Sequence, residues 1–206
     1  MRVDKVILKA FFSTLAAIAL LFAFMFGVLI AAFPSTMMQL SYDFGQDESS
    51  IRYAERAYNW FDDTYYMAYA MEVAIGCDNQ EKIETCGLVL VSDKEYFAQY
   101  CKDKDAMLSA SGEDVGLKTN DYVHGKIAVA KYEKGNNAEA VNYAFGTLNG
   151  GFAQNNAAVA VLYAATSKKD ADTVDMIRDR MIQQKSEGIA QGDQAYFDEI
   201  LRLVSE

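Results

Sequence analysis

Residues 122–144 read YVHGKIAVAKYEKGNNAEAVNYA, and their pattern decides the fold. Ile127, Ala128 and Tyr132 recur at the spacing of a helix face, and Gly135 interrupts the run. Asn136 and Asn137 then supply the side-chain acceptors that open a second helix. The spacing predicts one helix from Thr119–Asp121 to Gly135, and an antiparallel partner from Asn136 to about Gly150-Gly151.

The same reading extends in both directions. Toward the C-terminus it predicts a helix through Ala157–Thr166, a turn at Ser167–Asp170, a helix to about Gln184 and a last helix from Asp193. Toward the N-terminus, Ser109 to Gly116 reads as the longest loop, preceded by a helix opened by the capping-box pair Ser92 and Glu95. Asp78 and Asn79 cap a helix ending near Val91, and Asp62 and Asp63 open one ending near Gly76. A further helix begins near Ser49 or Ser50 and presents Ile51, Ala54, Tyr58 and Phe61 at helical spacing. Pro34 is the only proline, which suits helices joined by Gly, Asn and Asp turns. The fold class expected is all-α: a string of antiparallel helix hairpins.

Superposing the turns at Asp78, Asn136 and Lys169 aligns Ala70 with Ala128 and Val161, Ala74 with Tyr132 and Ala165, and Ile83 with Val141 and Val174. The last two turns are then 33 residues apart, close to the period of helical-repeat arrays of about 33–34 residues. With Ile127-Ala128, Tyr132, Gly135-Asn136 and Ala140, the stretch 122–144 resembles a tetratricopeptide repeat. It departs from that family at His124, where tryptophan is frequent, at Ala144, where an aromatic is favoured, and in lacking the closing proline. The resemblance extends loosely over residues 64–184. It implies a TPR-like α-solenoid whose inner face binds peptides or proteins.

A different pattern occupies the N-terminus. Ala10 to Phe33 carries no charge, and a helix of that length is about 36 Å long, enough to cross a hydrocarbon core of about 30 Å. The small-residue triplet Ala17-Ile18-Ala19 would suit a cleaved secretory signal, but it lies in mid-stretch, and the apolar run is long for one. The expectation is an uncleaved anchor. Arg2, Lys5 and Lys9 precede the stretch and no basic residue follows until Arg52, which places the N-terminus in the cytoplasm. The expected organisation is a cytoplasmic tail (1–9), a transmembrane helix (10–33) of the plasma membrane, a juxtamembrane linker (34–48) and an extracytoplasmic helical-repeat domain (49–206).

Charge and motifs limit the chemistry. From Pro34 onward there are 16 basic and 28 acidic side chains, a net of −12, so nucleic acid and anionic lipid are not expected partners. Among Cys77, Cys86 and Cys101 one disulfide and none are both open, and no CxxC pair supports a metal site. His124 is the sole histidine, and at the start of a helix it reads as a surface or capping residue. Asp103-Lys104-Asp105 with Glu113-Asp114 fails the calcium-loop pattern, since its sixth position is Leu108. Asp172, Asp175 and Asp179 with Arg178 and Arg180 read as a salt-bridged helix face. No enzyme activity, cofactor or metal is expected.

The aromatics between Tyr42 and Tyr69 are the remaining excess. Tyr58, Phe61 and Tyr65 are assigned to packing, and Tyr53, Trp60 and Tyr66 to a partner-binding surface. The expected function is a membrane-anchored scaffold that binds a protein partner. The alternatives are an accessory subunit docking through its spanning helix and, less favoured, a tethered enzyme.

Overall fold

A computed structural model describes residues 2–111, 118–148, 156–187 and 194–205, without the side chains of residues 2–6, 30 and 31. Among the described residues there are eleven helices and no strand. They are α1 (Arg2–Ala32), α2 (Pro34–Asp43), α3 (Asp47–Phe61), α4 (Tyr65–Gly76), α5 (Gln80–Ser92) and α6 (Lys94–Ser111), then α7 (Thr119–Glu133), α8 (Asn137–Gly146), α9 (Ala157–Ser167), α10 (Ala171–Ser186) and α11 (Gln194–Leu203). The chain divides into two compact units, Met1–Asp62 and Asp63–Glu206.

In the first unit, α1 is long and apolar enough to cross a membrane, and the rest of the chain leaves Ile7–Leu29 uncovered. Phe33 breaks the helix at φ −131°, and Pro34 takes the first turn of α2, where its missing N–H costs nothing. The stretch 34–48, expected as a linker, therefore contains a helix. Met37 and Met38 of α2 are buried together with Ile51, Ala54 and Ala57 of α3. The Ser50 hydroxyl donates to the Met38 carbonyl at 2.9 Å and holds the antiparallel pair in register.

The second unit is built from hairpins α4–α5, α7–α8 and α9–α10, with α6 between the first two and α11 packed on α10. Each hairpin turns through one residue of positive φ: Asp78, Gly135 and Lys169. In all three, the next N–H reaches back five residues along the turn, from Asn79 to Ala74, Asn136 to Lys131 and Asp170 to Ala165, at 2.9, 3.1 and 2.9 Å. This is the Schellman closure, which satisfies carbonyls that a helix end leaves without partners. Asn79 and Asp170 then cap the following helix, accepting from the N–H of Lys82 and Thr173.

The turn geometry corrects the expected superposition in the middle hairpin. Gly135, not Asn136, takes the left-handed position, because a residue without Cβ adopts it without strain. Ile127 then aligns with Ala70 and Val161, Lys131 with Ala74 and Ala165, and Ala140 with Ile83 and Val174. Gly135 and Lys169 are 34 residues apart.

Other boundaries also differ from expectation. Asp93 replaces Ser92 as the cap of α6, accepting from the Tyr96 N–H at 3.1 Å while Ser92 bonds back to Val89. α6 continues through Ser109 to Ser111, and α8 stops at Gly146, short of the expected end. Residues 112–116 of the expected loop, Gly150-Gly151 and Asp193 lie outside the described residues.

Packing between hairpins relies on small side chains. A Cβ on Gly87 of α5 would lie 2.6 Å from Ile127 of α7, which is fully buried. On Gly125 of α7 it would meet only the Ala160 Cβ, at 3.4 Å. Gly87→Ala is therefore expected to destabilise the protein by about 1–3 kcal/mol through overpacking. Gly125→Ala is expected to stabilise it by up to about 1 kcal/mol through helix propensity. At the turns, Gly135→Ala should lose about 1 kcal/mol and Lys169→Gly gain a similar amount. Thermal unfolding of the detergent-solubilised full chain, followed by helical circular dichroism, checks all four signs.

Candidate interaction groove and its polar network

Three helices meet at a groove of about 310 Å³. α4 supplies Met71 and Ile75 to it, α6 supplies Tyr100 and Leu108, and α7 supplies Tyr122 and Val123. Asp105 of α6 pins the start of α7 by accepting from both the N–H and the hydroxyl of Thr119, at 2.9 and 2.6 Å. Those two hydrogen bonds hold the Asp105 carboxyl below its ordinary range, against the opposing effect of burial.

One edge of the groove is polar. Tyr100 donates its hydroxyl to Glu72 at 2.7 Å, and Lys104 pairs with the same carboxylate at 2.7 Å. The Lys104 ammonium also lies 5.7 Å from the centre of the Tyr100 ring. Burial, followed by the bond to Glu72, pushes the Tyr100 hydroxyl far up, so the phenol stays a neutral donor. On α7, Lys126 sits 5.4 Å over the half-exposed Tyr122 ring. An apolar floor with a few oriented polar groups at its rim is the usual make-up of a recognition site. A second groove, of about 430 Å³ between α9, α10 and α11, is lined mainly by apolar side chains such as Val159, Leu162 and Ile200.

A buried network joins α5, α7 and α8. Lys131 donates to Glu84 at 2.8 Å and also to Glu139, while Lys134 donates to the second Glu84 oxygen at 2.7 Å. Burial works against the charged form of Glu84, but the hydrogen bonds and charges of Lys131 and Lys134 outweigh it and lower its pKa. Burial likewise opposes the charge on Lys131, and Glu139 and Glu84 overcome it and raise its pKa.

His124, expected at the surface, is buried, because α6 and α8 both pack over it. Its Nδ1 is 2.8 Å from the Tyr143 hydroxyl, and Phe97 meets its ring edge-on at 5.6 Å. Burial lowers its pKa despite the opposing charge of Asp121. The pair links α7 to α8 through this one polar contact. Among the described residues, no group of three or more His, Cys, Asp or Glu is placed to hold a metal.

The aromatic candidates are distributed differently from expectation. Tyr53 is half-buried and Trp60 exposed on α3 of the first unit, whereas Tyr66 is half-buried on α4 of the second. Tyr58 is half-buried, but Phe61 and Tyr65, assigned to packing, are 53% and 48% exposed, each standing at a helix end beyond the packed face. Tyr100, Lys104 and Tyr122 were missed. The signal was faint: only the (i, i+4) pairing of Tyr100 with Lys104 marks a shared face. Arg178 pairs with Asp175 and Asp179 as the sequence implied, at 2.6 and 3.5 Å. All three cysteines are free thiols, and burial, with Asp105 and Asp121, pushes Cys101 up to about 11.

No protein-family model, curated protein or solved structure matches the chain.

The network sets a pH profile. The depressed Glu84 contributes stability above its ordinary value of 4.5, and this is lost as pH falls through its lower folded value. The raised Lys131 contributes fully below 10.5, and its share is lost as pH rises through the higher folded value. Glu84→Ala is expected to cost about 3 kcal/mol at neutral pH, since Lys131 stays buried with one solvent-exposed partner. Lys131→Met should cost less, because Lys134 still faces Glu84. Urea unfolding at several pH values tests both, and equal losses would contradict the asymmetry.

Proposed function

We propose that the chain is a membrane-anchored helical-repeat scaffold that holds a protein partner in the groove formed by α4, α6 and α7. The observation that carries this reading is the groove itself: an open apolar floor edged by Tyr100, Lys104 and Glu72, whose polar groups are already oriented by one another. Side chains held in place before binding lose less entropy on association.

Two features favour a repeat array. α5 packs on α7, α7 on α9 and α8 on α10, so each hairpin contacts the next. The turns at Gly135 and Lys169 also stand at the spacing of the tetratricopeptide family. In this reading α1 spans the plasma membrane once. Arg2, Lys5 and Lys9 keep the N-terminus in the cytoplasm, and the groove faces the other side.

The test is a photo-crosslinking amino acid placed at Tyr122 of the full chain in native membranes, with Tyr163 of the α9–α11 groove as the comparison position. A discrete protein adduct from position 122, reduced several-fold by Lys104→Glu, is the expected result. The same adduct should survive exchange of residues 10–33 for an unrelated spanning sequence. An adduct that disappears with that exchange would transfer the partner contact to α1. An adduct from position 163 alone would move the site to the C-terminal groove.

A further inference from the structure

We propose that the open end of the α2–α3 hairpin is a membrane-surface foot, with Trp60 and Phe61 seated at the phospholipid headgroups beside the point where α1 leaves the bilayer. This rests on the reading of α1 as a membrane span and deepens it by adding a second, peripheral contact with the same membrane.

The geometry comes from the hairpin register. Ser50 is bonded to Met38, so these two residues lie at the same level of the antiparallel pair. From Met38 back to Pro34 is four residues, whereas from Ser50 on to Trp60 is ten. α3 therefore overshoots the start of α2 by about six residues, or about 9 Å at the helical rise. The overshoot lies at the end of the hairpin from which α1 departs, away from the Gly45 turn. It carries Trp60 and Phe61, 51% and 53% exposed, and Phe33 at the break between α1 and α2 is 51% exposed. Three large aromatics thus stand about half exposed at the exit of a helix apolar enough to cross a membrane.

The chemistry selects a headgroup layer over other occupants. Tryptophan and phenylalanine bring apolar area, and the indole N–H donates to ester or phosphate oxygens at the level where aromatic residues concentrate in membrane proteins. The Arg56 guanidinium lies 5.3 Å over the Trp60 ring, which sets a cation beside the indole at the height of the lipid phosphates. Asp62 and Asp63 follow at once and are exposed, so the foot stops at the headgroups and does not enter hydrocarbon. One arginine against two carboxylates also means that the contact needs no anionic lipid.

Trp60 is the only tryptophan in the chain, so its fluorescence reports this contact without mutation. The full chain is reconstituted in phosphatidylcholine vesicles containing acyl chains brominated either near the glycerol or near the chain end. The expected result is loss of most of the emission with bromine near the glycerol, a smaller loss with bromine near the chain end, and little quenching by aqueous iodide. Strong iodide quenching without bromolipid quenching, in a chain that resists alkaline extraction, would overturn the foot and leave the span intact. Protection from both quenchers would also overturn it, because a protein surface would then cover Trp60. Release of the chain by alkaline extraction would sink the spanning reading, and the foot with it.

Discussion

Four of the five described residues with positive φ, Gly45, Asp78, Gly135 and Lys169, sit in hairpin turns and decide how this chain doubles back on itself. At each, the helix that ends must satisfy its last carbonyls within two or three residues, and the next must find an acceptor for its first N–H groups. One arrangement answers both demands. The N–H after the left-handed residue closes onto the finished helix, from Gln46 to Ser41 as from Asn79 to Ala74, and the residue bearing it begins the next helix. Short, stiff turns leave each pair of helices antiparallel and adjacent. The buried faces of α2 and α3, of α4 and α5, and of the later pairs follow from that adjacency.

Close packing then falls on the residues that have least to pack. Gly87 admits the Ile127 side chain, Gly125 lies beside Ala160, and Ala128, Ala140, Ala144 and Ala165 are fully buried. Helices at such short separations leave little unfilled volume, so the grooves arise where the succession of hairpins is interrupted. α6 intervenes between the α4–α5 and α7–α8 pairs, and the groove edged by Tyr100 and Lys104 opens beside it. A second described groove opens where α11 meets the last hairpin. A buried ion pair at α5 and α7 is one exception to apolar packing. Lys131 and Glu84 are tolerated in the interior because Lys134 and Glu139 occupy their remaining hydrogen-bonding positions.

In the proposed function, the separation of roles along the chain matters more than any one residue. The α2–α3 hairpin presents half-exposed aromatics at the exit of α1, and the proposed foot would seat them at a bilayer surface. The second unit presents a groove with oriented polar groups, which suits a protein segment. Trp60 and Tyr66 are close in sequence, but they belong to different units.

Helix periodicity, the apolar stretch 10–33, the lone proline and the amide or acid after each turn were legible because each is a local property of a few neighbouring residues. They determined the helical class, the apolar N-terminal helix and the turn positions to within a residue or a few. The sequence did not reveal that Gly135 rather than Asn136 is left-handed, since both residue types tolerate that conformation and the closing hydrogen bonds choose between them. Nor did it show that His124 is buried or that Phe61 and Tyr65 are exposed. Burial of a helical residue depends on which neighbouring helix covers it and where that helix ends. The groove and the Glu84–Lys131 network are decided only by tertiary structure, because their members lie far apart along the chain and meet only when separate helices pack.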